Sequence, residues 1–162
     1  MKRMLEYGNY YLKPGEIIYS DEPLIVHTVL GSCVSVTMYV KRLKIGAISH
    51  CMLPLSSDIH RGEDAMKYVD CALLFMSKKL QSAGAKTTET EVKLFGGSSL
   101  FTASDNERGV GAKNVESASQ LLKKMGYSII SSDTGGRITR NLYFSLDSGT
   151  VYLRKINRTS VA

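Results

Sequence analysis

The sequence has no long hydrophobic run, which excludes one large class of proteins. Its longest apolar stretches resemble Ala72–Met76, far short of the roughly 20 residues that a transmembrane helix needs. Two basic residues near the start, Lys2 and Arg3, are not followed by the apolar segment of a secretory signal. We therefore expect a cytoplasmic protein with no membrane insertion.

Cysteine and histidine are also scarce. The three cysteines are an odd number without CxxC spacing, which argues against a disulfide framework and against a zinc site. With three histidines, few side chains can serve as a general base near neutral pH. These residues are Cys33, Cys51 and Cys71, and His27, His50 and His60. We expect no metal and no organic cofactor.

Positive charge is in excess over negative charge. The net charge is +6, and from residue 137 onward Asp147 is the only acidic residue. The basic residues of that segment are Arg137, Arg140, Arg154, Lys155 and Arg158. No RNP, helix-turn-helix or zinc-finger pattern accompanies them, so we do not expect a nucleic-acid partner. Two interpretations remain, a solvated strand edge or a surface for an acidic protein partner.

Hydrophobic periodicity predicts strands and helices in an α+β order. Alternating β-branched residues indicate strands at 24–30, 34–40 and 45–53, the last two forming a hairpin. Apolar residues at helical spacing predict helices over 64–81 and 113–125. Further strands are expected at 91–95, 127–132, 141–146 and 151–155. We predict one domain over residues 1–162, an α/β sandwich of mixed, largely antiparallel strands with two main helices.

Cys33 and His50 are the pair of residues best suited to nucleophilic chemistry. An imidazole that takes the proton of a thiol makes the sulfur a nucleophile. The predicted hairpin brings the two residues together if they share a face, and alternation puts Cys51 on the face opposite to His50. Gly31 and Ser32 predict a tight turn whose N–H groups converge on an oxyanion. From the residues alone, Cys33 as a small core side chain is the favoured interpretation over a reactive thiol, and we interpret Cys51 and Cys71 as structural.

A second loop, Phe95–Ser99, is rich in glycine and serine. It lacks the lysine of GxxxxGK[ST] and the spacing of GxGxxG, so a tight turn after a strand is favoured over a phosphate site.

The order of the motifs along the chain is more specific than any single motif, and it resembles that of a known family. Thr28–Val36 (TVLGSCVSV) is followed by Ile48–Pro54 (ISHCMLP) and by Lys67-Tyr68. Later landmarks are Lys93–Gly97, Val110-Gly111 with Asn114, Asp133 with Gly135-Gly136, and Arg140. On these motifs, which extend over about residues 15–155, the chain resembles the CheD family, the chemoreceptor glutamine deamidases of bacterial and archaeal chemotaxis.

The resemblance implies an activity and a set of site residues. It implies a Cys-His hydrolase fold shared with the cytotoxic necrotizing factor toxins, and hydrolysis of receptor glutamine side chains to glutamate, the reaction of a protein-glutamine glutaminase. Cys33 matches the nucleophile, His50 the general base and Thr28 the position that orients the histidine. Gly31 and Ser32 then belong to the oxyanion turn. Substrate or partner contacts are expected at Phe95, Gly96, Gly97, Arg137 and Arg140.

The implied partners are the cytoplasmic domains of methyl-accepting chemotaxis receptors and a CheC-type phosphatase. An alternative is a non-catalytic regulatory protein that docks on either of them. Two departures from the family pattern, Thr139 before the arginine and Ser98–Leu100 after the glycines, lie in regions associated with partner contact.

Overall fold

The computed structural model describes residues 8–56, 63–99 and 109–157. The predicted features at His60, Leu100 and Arg158 lie outside these ranges. Along the described ranges the strands and α-helices are β1 (Gly8–Tyr11), β2 (Ile17–Ser20), β3 (Leu24–Leu30), β4 (Val34–Val40), β5 (Ile45–Ser49), α1 (Val69–Ser82), β6 (Glu91–Gly96), α2 (Val110–Lys124), β7 (Ile129–Thr134), β8 (Ile138–Ser145) and β9 (Val151–Asn157).

The strands form two sheets that pack face to face. The central sheet has the order β2-β5-β4-β6-β7, and the outer sheet has the order β1-β3-β8-β9. Neighbouring strands are antiparallel except for β1 with β3 and β6 with β7. Both helices contact the central sheet. The predicted α+β class, with largely antiparallel strands and two helices, is confirmed.

Alternation along β4 divides the interior into two cores. Val36 and Met38 face the helices and join a cluster that includes Leu73 and Leu122. Tyr39 belongs to a second cluster between the two sheets. Successive residues of a strand face opposite sides of the sheet, so a sheet that is covered on both faces buries odd and even positions alike. This explains why every residue of β4 is buried.

The strands β3 and β4 agree with the prediction at both ends. The short strands β1 and β2 were not predicted. Their segments, GNYY and IIYS, lie at sheet edges where no residue is fully buried, so they carry little hydrophobic alternation.

The first predicted helix is interrupted at Tyr68. A 3₁₀ turn covers Glu63–Lys67, and the α-helix begins only at Val69. The carbonyl of Lys67 accepts hydrogen bonds from Met52 and Leu53, so this segment lies beside the chain that follows β5. Tyr68 is extended, with φ −94° and ψ 136°. A contact between distant segments has therefore overridden the helical periodicity of 64–81. No helix in the described ranges has the length and apolar character required to cross a bilayer.

Candidate functional site

Cys33 and His50 lie at the open end of the β4–β5 hairpin. Residue Val34 pairs with Cys51 through two hydrogen bonds, of 3.0 and 2.8 Å, and this continues the register of Thr37 with Ile48. In that register Ser35 lies opposite His50, so Cys33 and His50 are diagonal neighbours on one face of the sheet. Diagonal neighbours have Cα atoms about 7–8 Å apart, and their side chains can meet.

The imidazole of His50 is held by a threonine from the other sheet. Thr28 Oγ1 lies 2.6 Å from His50 Nδ1 and 2.8 Å from the carbonyl oxygen of Leu12. A hydroxyl has one hydrogen, and the Leu12 carbonyl can only accept it. His50 Nδ1 must then donate to Thr28 Oγ1, which leaves Nε2 with a free lone pair. That tautomer is the one that a general base needs.

The segment between β1 and β2 buries the histidine. The backbone carbonyl of Glu16 accepts a hydrogen bond from the N–H of His50 at 3.2 Å, and the N–H of Gly15 donates to the His50 carbonyl at 2.8 Å. Leu12, which accepts the Thr28 hydroxyl, has no exposed surface. As a result His50 is 3% exposed, although β1 and β2 themselves are edge strands.

Burial keeps both members of the pair neutral. It lowers the pKa of His50 to about 4, with the Leu12 carbonyl acting in the opposite direction. It also raises the pKa of the Cys33 thiol above its ordinary value. Both shifts disfavour the charged form. At neutral pH the free protein therefore holds a neutral Cys33 thiol and an unprotonated His50 imidazole.

The loop that carries Cys33 is packed against the end of β6. Gly97 donates to the Cys33 carbonyl at 2.9 Å, and Ser98 donates to the Gly31 carbonyl at 2.9 Å. Gly96 has φ +105°, and a Cβ there would collide with the Cys33 carbonyl oxygen. Phe95 is 3% exposed and lies in the core between the sheets. These residues support the cysteine loop from inside, so surface contact with a partner does not fit the buried Phe95.

Asn114 is a site residue to which the sequence reasoning assigned no role. It has no exposed surface, and its Nδ2 donates to the carbonyls of Ser32 at 3.0 Å and Met52 at 3.1 Å. The signal in the sequence was a polar residue on the buried face of α2, in line with Gly111, Ala118 and Leu122. Through it the helix joins the cysteine loop to the segment after His50.

Arg140 lies in the interior rather than on a contact surface. Its side chain is 2% exposed and donates to Asp133 at 2.8 Å, to Ser98 Oγ at 2.7 Å and to the Gly135 carbonyl at 2.9 Å. Burial raises the pKa of Asp133, but hydrogen bonds from Arg140 and Lys155 outweigh it and the net shift is downward. The predicted partner contact of Arg140 does not fit this burial. Arg137, in contrast, is exposed.

The other cysteines and His27 lie apart from the pair. Cys51 is buried on the helix side of the central sheet, and burial raises the pKa of its thiol to about 12. Cys71 is on α1, 3.7 Å from Ser56 Oγ. His27 is next to Thr28 on β3 and therefore points to the opposite face, where it stacks on Tyr143 at 4.4 Å.

Comparisons with known proteins identify one family. The profile described as "CheD chemotactic sensory transduction" matches residues 52–155. The chain is 42% identical over 149 residues to a Geobacter sulfurreducens protein named "Probable chemoreceptor glutamine deamidase CheD 2", covering 92% of this chain and 91% of that protein. It is 38% identical over 151 residues to a Pyrococcus abyssi protein named "Probable chemoreceptor glutamine deamidase CheD", covering 92% and 88%.

A Methanococcus maripaludis protein with that second name is 38% identical over 144 residues, covering 89% of this chain and 93% of its own length. The profile begins after His50, but these three alignments leave only a short part of the chain unaligned. They therefore include the segment from Thr28 to His50.

Proposed function

The chain belongs to the CheD family, and we propose that it converts glutamine side chains of chemoreceptors to glutamate and releases ammonia, using Cys33 as nucleophile. The names of its relatives support the reaction and the receptor substrate. The observation that carries the chemistry is the position of Cys33 and His50 on one face of the hairpin, with His50 Nδ1 engaged by Thr28. The reaction class is that of a protein-glutamine glutaminase.

The reaction begins with attack of the Cys33 sulfur on the side-chain amide carbon of glutamine. His50 Nε2 takes the thiol proton as the S–C bond forms, because the neutral thiol is a weak nucleophile. The resulting imidazolium gives that proton to the amide nitrogen, the C–N bond breaks and ammonia leaves. Water, deprotonated by His50, then attacks the thioester carbon, the C–S bond breaks, His50 returns the proton to the sulfur, and glutamate is released.

The tetrahedral intermediate places negative charge on the former amide oxygen. N–H groups of the Gly31–Cys33 turn are the proposed donors to this oxygen. No electrons are exchanged in either half of the reaction, so thiolate, proton transfer and hydrogen bonding supply all of its chemistry. We therefore propose no cofactor and no metal.

The surroundings of the pair offer an apolar surface for a helical partner. Met52 and Leu55, which follow His50, are 40% and 57% exposed, and Val110 is 44% exposed one helical turn before Asn114. Exposed apolar side chains at a site favour docking of another protein. We propose that receptor cytoplasmic helices bind here, and that a CheC-type phosphatase is a second partner. Both partners imply a cytoplasmic location.

We propose that the arrangement is the Cys-His hydrolase fold of the cytotoxic necrotizing factor toxins, and that the 162 residues act as one domain. The alternative is a regulatory protein that binds receptors or the phosphatase without catalysis. It shares the docking surface but does not require Cys33.

The test is incubation of the protein with a receptor cytoplasmic fragment, followed by peptide mass spectrometry. We expect receptor glutamines to become glutamates with wild-type protein and with Cys71→Ala, but not with Cys33→Ala. The Cys71 variant is the matched control because that thiol is also half-buried. Unchanged receptor peptides with intact binding would exclude the enzyme and leave the regulatory role.

A further inference from the structure

Asn114 is the one described side chain that joins α2 to both halves of the proposed site. Its two Nδ2 hydrogens are donated to Ser32 O and Met52 O, at 3.0 and 3.1 Å. Ser32 precedes the proposed nucleophile, and Met52 lies two residues after the proposed base. One buried amide therefore ties the cysteine loop to the histidine segment.

The hydrogen bond to Ser32 determines where the next N–H points. In a trans peptide the C=O and the following N–H lie in one plane and point in opposite directions. With the Ser32 carbonyl held toward Asn114, the N–H of Cys33 is directed away from α2. The Cys33 carbonyl is held separately by Gly97 N–H at 2.9 Å. Among the described residues no acceptor takes the Cys33 N–H, so it is available to a ligand.

Asn114 also retains a feature that stability alone disfavours. Its Oδ1 is buried and has no hydrogen-bond partner among the described residues. Buried polar atoms are nearly always paired, because an unpaired one costs free energy. The amide is thus used for its two donors while its acceptor is left unsatisfied, and such violations concentrate at functional sites.

We propose that Asn114 is a positioning residue that orients the Cys33 N–H as the oxyanion donor. It does not touch the substrate, and the proposal rests on the deamidase function proposed above. Without its donors the Ser32–Cys33 peptide is free to rotate, and the N–H loses the direction in which it meets the developing negative charge. The thiol itself keeps its neighbours, because the Gly97 hydrogen bond and the Val34 pairing remain.

Two reactions of Cys33 separate this role from a merely structural one. Hydrolysis of glutamine passes through an oxyanion, whereas alkylation by iodoacetamide is a direct displacement in which no oxyanion forms. We expect Asn114→Leu and Asn114→Asp to lower kcat for receptor deamidation by about 10²–10³-fold, the usual effect of losing an oxyanion donor. KM and the rate of Cys33 alkylation should stay within about threefold of wild type.

Ser77→Ala is the control for loss of a buried hydrogen bond. Ser77 is on α1, away from the cysteine loop, and its Oγ lies 2.7 Å from the hydroxyl of Tyr127. The substitution should lower the melting temperature and leave kcat unchanged. The inference is overturned if the Asn114 variants keep wild-type kcat, or if kcat and alkylation fall in parallel. An inactive wild type would instead overturn the proposed function, and the oxyanion role with it.

Discussion

The hydroxyl of Thr28 lies 2.6 Å from Nδ1 of His50, although the two residues belong to different sheets. Thr28 is on β3 of the outer sheet, and His50 follows β5 of the central sheet. The contact makes the packing of one sheet on the other a condition for a correctly oriented imidazole. Any change that separates the sheets at this end should therefore reduce activity before it unfolds the protein.

Replacing Thr28 by valine should reduce kcat for deamidation by about 5–150-fold. This range corresponds to the 1–3 kcal/mol that an unsatisfied buried donor costs, since His50 Nδ1–H loses its acceptor. Thr28→Ser keeps the hydroxyl and should retain most of the activity. Thr37→Val is the control, because Thr37 is a buried threonine of β4 that does not bond His50. Equal activity of the valine and serine variants at position 28 would contradict the orienting role.

His50 should make the protein less stable in mild acid. Its pKa in the folded state is lowered to about 4, so between pH 6.5 and 4 the unfolded chain binds more protons and the free energy of unfolding falls as pH falls. The loss attributable to His50 is about 3 kcal/mol at most. Urea denaturation at several pH values should show this slope in wild type, and a smaller one in His50→Gln. Parallel slopes in the two proteins would mean that His50 is not desolvated.

Alkylation of Cys33 should keep rising with pH beyond the ordinary range of a thiol. Burial raises the pKa of Cys33, so the thiolate is scarce at neutral pH and grows only in alkaline solution. Iodoacetamide labelling followed by mass spectrometry separates Cys33 from Cys71, and Cys51 should remain unlabelled because it is buried. A plateau between pH 5 and 8 that disappears in His50→Ala would instead reveal a preformed thiolate–imidazolium pair.

Gly96→Ala should impair catalysis more than its cost in stability suggests. Both Gly96 and Gly126 have positive φ, +105° and +90°, so alanine at either position is strained by about 1–2 kcal/mol. Only at Gly96 does the new Cβ also collide with the Cys33 carbonyl, whereas nothing lies within 4 Å at Gly126. We expect a similar cost from the positive φ in both variants, but a further loss of stability from the collision and a large loss of kcat only in Gly96→Ala. Equal kcat in the two would show that the cysteine loop tolerates displacement.

Removal of Arg140 should destabilise the protein by about 3 kcal/mol, because Asp133 and the carbonyls of the loop lose a buried cation. Arg140→Leu is the test, and Arg154→Leu on the exposed face of β9 should change the free energy of unfolding by less than about 0.5 kcal/mol. Thermal or urea denaturation measures the free energy of unfolding of both variants.

Binding to an acidic surface of the receptor is tested by Arg137→Glu alone, because Arg137 is exposed and Arg140 is buried. The loss of receptor affinity in this variant should be larger at low salt than at high salt.

The elements that depend on local pattern were predictable. The strand β3 alternates over most of its length, and β4 is buried on both faces. The ends of both strands were predicted to the residue. The hairpin that carries Cys33 and His50 was predicted from its spacing, and its register places the two residues on one face of the sheet. Resemblance to a family was needed to favour chemistry over a core cysteine, because a glycine before a thiol is not specific by itself.

The sequence by itself determined the class of fold, the hairpin and the identity of the candidate pair, since each depends on residues close together along the chain. Only the tertiary structure decided how His50 is oriented and buried, what interrupts the first helix at Tyr68, and why Arg140 is internal. It also decided that Asn114 reaches the Ser32 carbonyl. Each of these depends on a hydrogen bond or contact between segments far apart in sequence, for which hydrophobic periodicity carries no signal.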